Sequence, residues 1–398
     1  MKKIQNRGFY FVSLLVRTSD QVNREMQTNG RAKYYILMES LRNDIVSGKI
    51  KPREKIPSEN ELSKQFKVSR HTVRKAISIL ENDGLLEATH GVGTFCTDRL
   101  RNKSSSKNIA VVTTYISDYI FPRLIQGMDQ VLTENGYSII LKNTGNSQKN
   151  EARALEDILT KNIDGLIIEP SKSEIFCRHL HLYEQFDKMK VPYVFIQGTY
   201  PQMKERSNII MDDVEGGYLL TKYLIALGHR KIVGIFKIDD TQGTARHKGY
   251  IKALNEAGIQ YDPDLVVTFH TEDRAKKPAA VMEQFVREKK KIDAIVCYND
   301  QIALEVIHVL NLYGVNVPED ISVTGYDNSL ISESGPVKLT TVSHPKEKLG
   351  RMAAKLLLEK INHIPEEESK VPRVVAPELV IRESCRDRKI KKTHEFQK

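Results

Sequence analysis

Arg70, His71, Arg74, Lys75 and Ser78 share one arc of a helical wheel drawn over residues 70–82, with Arg70 at its edge. Val73, Ala76, Ile77 and Leu80 occupy the opposite side at i, i+3, i+4, i+7, the spacing of a single buried stripe. A helix dry on one side and bearing Arg, Lys and His on the other suits the major groove of a duplex, where an arginine can bond guanine through two donors. A second group of reactive side chains lies just past a series of short apolar runs. It comprises Tyr115, Ser117, Asp118, Tyr119 and Phe121, then Glu169 before Pro170, Gln197, Asp212 and Asp213, the stretch Asp239 to Arg246, Tyr298-Asn299-Asp300, Tyr326-Asp327-Asn328, and His344. Carboxylates, amides and a guanidinium bond neighbouring hydroxyls in pairs, and aromatic faces cover the C–H side of a ring, so the mixture fits a hydroxyl-rich ligand. Asp213 and Asp300 also suit helix N-caps, and Tyr119 and Phe121 also suit loop packing. The sequence holds no G-x-S-x-G, no phosphate-cradling G-x-x-x-x-G-K-[ST], no H-E-x-x-H and no clustered metal ligands, so neither catalytic residues, a metal nor a cofactor is expected, and the chain is not expected to be an enzyme.

The elements that place these residues can be read in order. Ser58 and Glu61 form an S-x-x-E capping box that opens a helix to Phe66. Lys67 and Val68 turn the chain, Ser69 caps the basic helix, and Gly84 stops it. Leu85–Leu86 and Thr94–Cys96 flank a His90-Gly91-Val92-Gly93 tip, a hairpin wing. Upstream, Tyr34 to Ser47 carries the apolar stripe Ile36, Leu37, Leu41, Ile45 and Val46, and Gly48 ends it. Residues 98–107, D-R-L-R-N-K-S-S-S-K, read as a linker. From Asn108, apolar runs such as Ile109–Thr113, Asp164–Ile168, Tyr193–Ile196, Ile232–Phe236 and Ala294–Cys297 alternate with helical segments such as Phe121–Asn135, Gly216–Leu227, His247–Ala257 and Lys348–Ile361. That rhythm predicts parallel sheets with helices on both faces, in two lobes. Ligands of such sheets bind outside the carboxyl ends of the strands, which is where the second group of residues falls.

The chain has 398 residues and a net charge of +10, and the charge is unevenly placed. Residues 31–103 hold 15 Lys and Arg against 9 Asp and Glu, and both termini are basic, whereas residues 104–381 hold 34 against 37. The positive charge therefore lies on the ends and on the helix pair, as a DNA footprint requires. Four scattered cysteines without C-x-x-C spacing suit a reduced, cytoplasmic protein. No apolar run approaches the length of a membrane span. Lys2, Lys3 and Arg7 precede the apolar run Phe9–Val16, but Ser13 interrupts it and no A-x-A site follows, so an export signal is not expected. Residues 1–30 are expected to be a disordered extension, with Met26 an alternative start, and residues 386–398 a basic tail.

The stretch from Pro57 to Phe95 resembles the winged helix-turn-helix of GntR-type regulators, through P-S-E-N-E-L, V-S-R-H-T-V-R-K-A, L-E-N-D-G-L-L and G-V-G-T-F. The resemblance implies a DNA-binding domain over 31–98, followed by the 99–107 linker. Carried over by position, the DNA contacts are Lys33, Ser58, Glu59, Arg70, Thr72, Arg74, His90 and Gly91, to which the basic arc adds His71 and Lys75. Residues 108–385 resemble the effector domain of LacI/GalR-type repressors, a two-lobed periplasmic-binding-protein-like fold. The markers are Gly127–Tyr137, D-G-L-I-I (164–168), D-D-V-E-G-G-Y (212–218), Y-N-D (298–300), V-P-E-D-I-S-V-T-G-Y-D-N (317–328) and P-E-L-V-I-R-E-S (377–384). The pairing of these two domains, with T-T-Y-I-S-D-Y-I-F-P (113–122) and C-Y-N-D-Q-I-A-L (297–304), is similar to repressors of arabinose operons. It implies L-arabinose as effector, with contacts among Tyr119, Phe121, Glu169, Gln197, Arg246, Asp300, Asp327 and His344; Asp213 joins them by its position. It also implies a homodimer on double-stranded operator DNA, released when sugar changes the angle between the lobes. Another sugar, a sugar phosphate or a purine is the alternative effector, and an exported sugar-binding protein the rival class.

Overall fold

The computed structural model of the chain describes residues 33–46, 48–82, 84–89, 92–97, 105–117, 119–365, 368–369, 371 and 373–389. His90 and Gly91, the expected wing-tip contacts, lie outside the described residues, as does Asp118. The chain divides into two compact units, residues 1–104 and 105–398.

In the first unit, helices α1 (Lys33–Val46), α2 (Glu59–Phe66) and α3 (Arg70–Asn82) precede a hairpin of β1 (Leu86–Thr89) and β2 (Gly93–Cys96). The expected capping box is present: Ser58 N donates to Glu61 Oε2 at 2.7 Å, and Glu61 N to Ser58 Oγ at 3.3 Å. Lys67 ends α2 in the left-handed region at φ +51°. Ser69 Oγ then accepts from Thr72 N at 3.2 Å and starts α3. Val73, Ala76, Ile77 and Leu80 are buried against Leu37, Leu41, Ile45, Leu62 and Phe66, while Arg70, His71, Arg74 and Lys75 are exposed. Gly84 closes α3 at φ +67°, with Leu85 N donating to Leu80 O.

The second unit holds two parallel sheets. The first is built in chain order from β3 (Asn108–Thr113), α4 (Phe121–Glu134), β4 (Ser138–Asn143), α5 (Gln148–Leu159), β5 (Gly165–Ile168), α6 (Leu180–Lys188), β6 (Tyr193–Ile196) and β7 (Asn208–Met211). The chain then leaves through α7 (Asp213–Ala226) for the second sheet. That sheet comprises β8 (Ile232–Lys237), α8 (Thr241–Glu256), β9 (Val266–Phe269), α9 (Lys277–Arg287), β10 (Ala294–Cys297), α10 (Asp300–Leu312) and β11 (Ser322–Thr324). The short α11 (Ile331–Ser334) and β12 (Thr341–Ser343) lead back to α12 (Lys346–Ile361) and β13 (Val374–Val375), which completes the first sheet. A last crossing through β14 (Glu378–Val380), antiparallel to β12, brings Ser384 Oγ to Val323 O at 2.6 Å. The sheet orders are β13-β7-β6-β5-β3-β4 and β11-β10-β8-β9, every neighbouring pair parallel. The chain thus crosses between the lobes three times, a feature the apolar rhythm does not carry.

Ser105 to Lys107, expected as the end of the linker, are instead pinned to the body. The Asp164 carboxylate accepts from the hydroxyls of Ser105 and Ser106, from Ser106 N at 2.9 Å and from Lys107 N at 3.1 Å. At the other end, Arg386 N donates to Ser322 Oγ and Arg388 N to Leu227 O, so the first residues of the expected tail belong to the folded unit.

One helix pair approaches on two glycines. A Cβ at Gly350 would stand 2.1 Å from Leu124 O, and one at Gly127 2.2 Å from Glu347 O, which locks α12 onto α4. Backbone is met in both cases, so neither neighbour can swing aside. Gly350→Val is expected to cost about 1–3 kcal/mol or more through overpacking, read as a lowered thermal midpoint. An unchanged midpoint would show that the helices do not pack this closely.

Candidate functional site

The carboxyl ends of both sheets face one cleft. Its lining includes Thr114, Tyr115, Tyr119, Phe121, Asn146, Glu169, Ser173 and Gln197 from the first lobe, and Lys237, Asp240, Arg246, Thr271, Arg274, Tyr298, Gln301 and Asp327 from the second lobe and the crossing segments. Six of the nine residues expected to touch the effector line it: Tyr119, Phe121, Glu169, Gln197, Arg246 and Asp327.

Glu169 follows the last residue of β5, a strand buried along its whole length. Its Oε2 accepts from Thr114 N at 2.9 Å and Thr114 Oγ1 at 2.7 Å, and its Oε1 from Gln197 Nε2 at 3.1 Å. Burial pushes the Glu169 carboxyl up to about 7, against the pull of the Thr114 donors. His344 continues this chain of contacts, with its Nε2 2.9 Å from Gln197 Oε1. Burial lowers the imidazole to about 4, so it is neutral at pH 7 and donates through Nε2–H.

Arg246 projects from the second turn of α8 and is 5% exposed. Its Nε donates to Asp213 Oδ1 at 2.9 Å, its Nη1 to Tyr298 O at 2.7 Å, and its Nη2 lies 3.5 Å from Asp327 Oδ1. The guanidinium carbon sits 3.5 Å from the Tyr326 ring centroid and 4.8 Å from that of Tyr298. Burial works against the charge, but Asp213 and Asp327 outweigh it and keep the guanidinium protonated.

Asp213, Asp300 and His344 stand one layer behind the lining. Asp213 braces Arg246; the cap of α7 is its neighbour Asp212, whose side chain accepts from Glu215 N. Asp300 accepts from Ser329 N and Oγ, each at 2.8 Å, and from Thr341 Oγ1 at 2.7 Å, tying α10 to the crossing strands, while Asn299 caps α10. Sequence reasoning missed Lys237, Arg274, Asn146, Thr271 and Ser173. Lys237 ends β8 and its Nζ donates to Asp240 Oδ2 at 2.8 Å, which also accepts from the Tyr298 hydroxyl at 2.8 Å. Arg274 Nη1 donates to Gln301 Oε1 at 2.7 Å. A lysine directly ending an apolar strand was the available signal for Lys237; the others sit in loops without one.

In the head, Arg74 Nε donates to both oxygens of Glu59, at 2.9 and 3.1 Å, which fixes the direction of the guanidinium. Lys75 Nζ lies 4.0 Å above the Tyr34 ring, so its ammonium also ties α3 to α1. Ser58 is occupied by the cap, Thr72 Oγ1 lies 2.8 Å from Ser69 Oγ, and Lys33, Arg70 and His71 are exposed. Among the described residues, no helix is long and apolar enough to cross a membrane, and no group of three His, Cys, Asp or Glu is placed to hold a metal.

A winged helix-turn-helix with a basic outer arc, together with a two-lobed α/β unit closed around a polar cleft, defines a DNA-binding regulator with an effector domain. Residues 34–96 match the model of bacterial regulatory proteins of the gntR family, and residues 221–385 that of the periplasmic binding protein-like domain. The chain is 42% identical over 369 residues to the arabinose metabolism transcriptional repressor of Halalkalibacterium halodurans, covering 90% of this chain and 98% of the relative. It is 38% identical to the repressor of that name from Geobacillus stearothermophilus, covering 89% and 98%. Among solved structures, the transcriptional regulator CelR–cellobiose complex superposes with a TM-score of 0.61 at 26% identity, over 79% of this chain and 90% of that one. The chain belongs to the family of arabinose metabolism transcriptional repressors.

The buried carboxyls set a pH dependence. Glu169 at about 7 and Asp300 at about 6 are held above their unfolded values near 4 by burial, so the native state keeps protons that the unfolded chain has released. Their stabilising share is complete below those unfolded values and is lost as pH rises through 6 to 7. His344, lowered to about 4, acts in the opposite sense between pH 4 and 6.5, but one imidazole offsets only one of the two carboxyls, so the net fall runs from about pH 4 to 7. Denaturant titrations of the sugar-free protein are expected to lose on the order of 3 kcal/mol between pH 4 and 7, and Glu169→Gln to flatten that curve. Parallel curves for the two proteins would contradict this assignment.

Proposed function

We propose that the head grips operator DNA and that L-arabinose, filling the cleft of the second unit, lowers the head's affinity for it. The observation that carries the choice of ligand is the carboxylate pairing of two of the cleft's three cations. Lys237 is paired with Asp240 and Arg246 with Asp213, and Arg274 is bonded to Gln301. A phosphorylated sugar would require free cationic donors, whereas a neutral polyol needs the mixture of carboxylate, amide and guanidinium edges found here. Glu169, Gln197, Arg246 and Asp327 would bond the hydroxyls, while Tyr115, Phe121 and Tyr298 cover the C–H faces. The names of the two relatives and the cellobiose held by the solved neighbour support a sugar effector.

On the DNA side, Glu59 holds Arg74 by Nε and leaves its terminal nitrogens for a guanine edge. Arg70, His71 and Lys75 flank that contact, with Lys33, Ser58, Thr72 and the wing tip at His90 and Gly91 on the backbone. A homodimer would set two heads at the spacing of an inverted repeat. The protein acts in the cytoplasm, as a regulator without catalytic chemistry. The sugar works only through its different affinities for the DNA-competent and released states.

A thermal-shift screen of the full chain against L-arabinose, D-arabinose, D-xylose, D-ribose, their phosphates and purines tests the effector. L-arabinose is expected to raise the midpoint most; a larger shift from a phosphate or purine would replace it. In a mobility-shift titration, Arg74→Ala is expected to weaken operator binding about tenfold or more while leaving the sugar-induced thermal shift intact. Wild-type operator binding by that variant would remove Arg74 from the interface.

A further inference from the structure

Asp327 and Asn328 are consecutive non-glycine residues in the left-handed region, at φ +93° and +44°. Such backbone persists only where its surroundings impose it. Asp327 N donates to Val342 O at 2.9 Å, Asn328 N to Thr341 Oγ1 at 3.3 Å and Arg382 Nη2 to Asn328 Oδ1 at 2.7 Å, and Lys346 holds the two carbonyls of the turn. Its ammonium donates to Asp327 O and, at 3.0 Å, to Asn328 O. Lys346 is the first residue of α12, where a cation opposes the helix dipole. It is half-buried, does not line the cleft, and forms no ion pair among the described residues. Neither packing nor helix electrostatics explains a lysine at this position, whereas its two carbonyl bonds do.

The two ends of this contact belong to different parts of the unit, Lys346 to the start of α12 and the Asp327–Asn328 turn to the crossing after β11. Lys346 rides on α12, which is locked onto α4 of the first lobe through Gly127 and Gly350. The Asp327 carboxylate faces Arg246 of the second lobe at 3.5 Å. A lysine stem therefore reaches from α12 to the turn that presents a cleft carboxylate. We propose that Lys346 is a positioning residue for effector binding, pinning the Asp327–Asn328 turn and so aiming the Asp327 carboxylate into the cleft beside Arg246. This rests on the reading of the cleft as a sugar site, and Lys346 touches no ligand itself.

Calorimetric titration of L-arabinose into the full chain tests it as a cycle of wild type, Lys346→Met, Asp327→Asn and the double variant. Lys346→Met is expected to weaken sugar binding about tenfold, and the double variant to bind no more weakly than Asp327→Asn, because the two side chains act as one unit. Operator affinity without sugar is expected to stay at the wild-type value, which also shows that the variant folds. Lys346→Arg, which keeps a donor at the turn, is expected to retain most of the affinity. Losses that multiply in the double variant, or wild-type affinity in Lys346→Met, overturn the positioning role alone. A wild type that does not bind L-arabinose overturns the effector reading and this proposal together.

Discussion

Arg246 is the constraint around which the cleft is arranged. A guanidinium taken out of water is tolerable only when its donors are met and its charge is balanced. Asp213 supplies one partner from the start of α7, the Tyr298 carbonyl another from the end of β10, and Asp327 faces it from the crossing after β11. Two tyrosine rings cover its faces. Removing it would strand two buried carboxylates, and removing either carboxylate would leave it under-compensated. The packing of α7 against α8 serves the same end, because a Cβ at Gly217 would stand 2.2 Å from the Arg246 carbonyl.

Around this fixed charge the cleft is conformationally tense. Tyr119, Gln197 and Asp327 all line it, and all three adopt left-handed backbone at φ +63°, +66° and +93°. Non-glycine residues do so at a cost, and such costs collect where a side chain must be aimed. A direct structural path also leads away from the cleft. Glu169 stands at one end of β5 and Asp164 at the other, where it holds Ser105 to Lys107. The intervening strand is buried and hydrogen-bonded on both sides, so its two ends cannot shift independently.

Much of this was legible in the sequence, for identifiable reasons. Buried parallel strands read as uninterrupted apolar runs, so Tyr193–Ile196 and Ala294–Cys297 agree with the structure to the residue. The capping box at Ser58 and the stripe of α3 were equally plain. The α6 and α9 helices were not among the segments read as helical, and α8 begins at Thr241, a turn and more before the expected His247, because Asp240 caps it. Layering within the site was the harder part. Asp212 and Asp213, or Asn299 and Asp300, are adjacent in sequence, yet the first of each pair caps a helix and the second turns inward to brace the wall. Neighbours at a strand end diverge in direction, and only the tertiary packing decides which of them meets the ligand.

In the proposed function the sugar cleft and the DNA-binding head share one equilibrium. Thermodynamic linkage makes the coupling measurable from either side, since a coupling free energy acts equally in both directions. The most direct measurement is the affinity for L-arabinose of the free protein and of the same protein saturated with operator. Sugar is expected to bind more weakly in the operator complex, by the same factor by which saturating sugar weakens operator binding. Equal sugar affinities in the two states would contradict this coupling, however tightly each ligand binds alone.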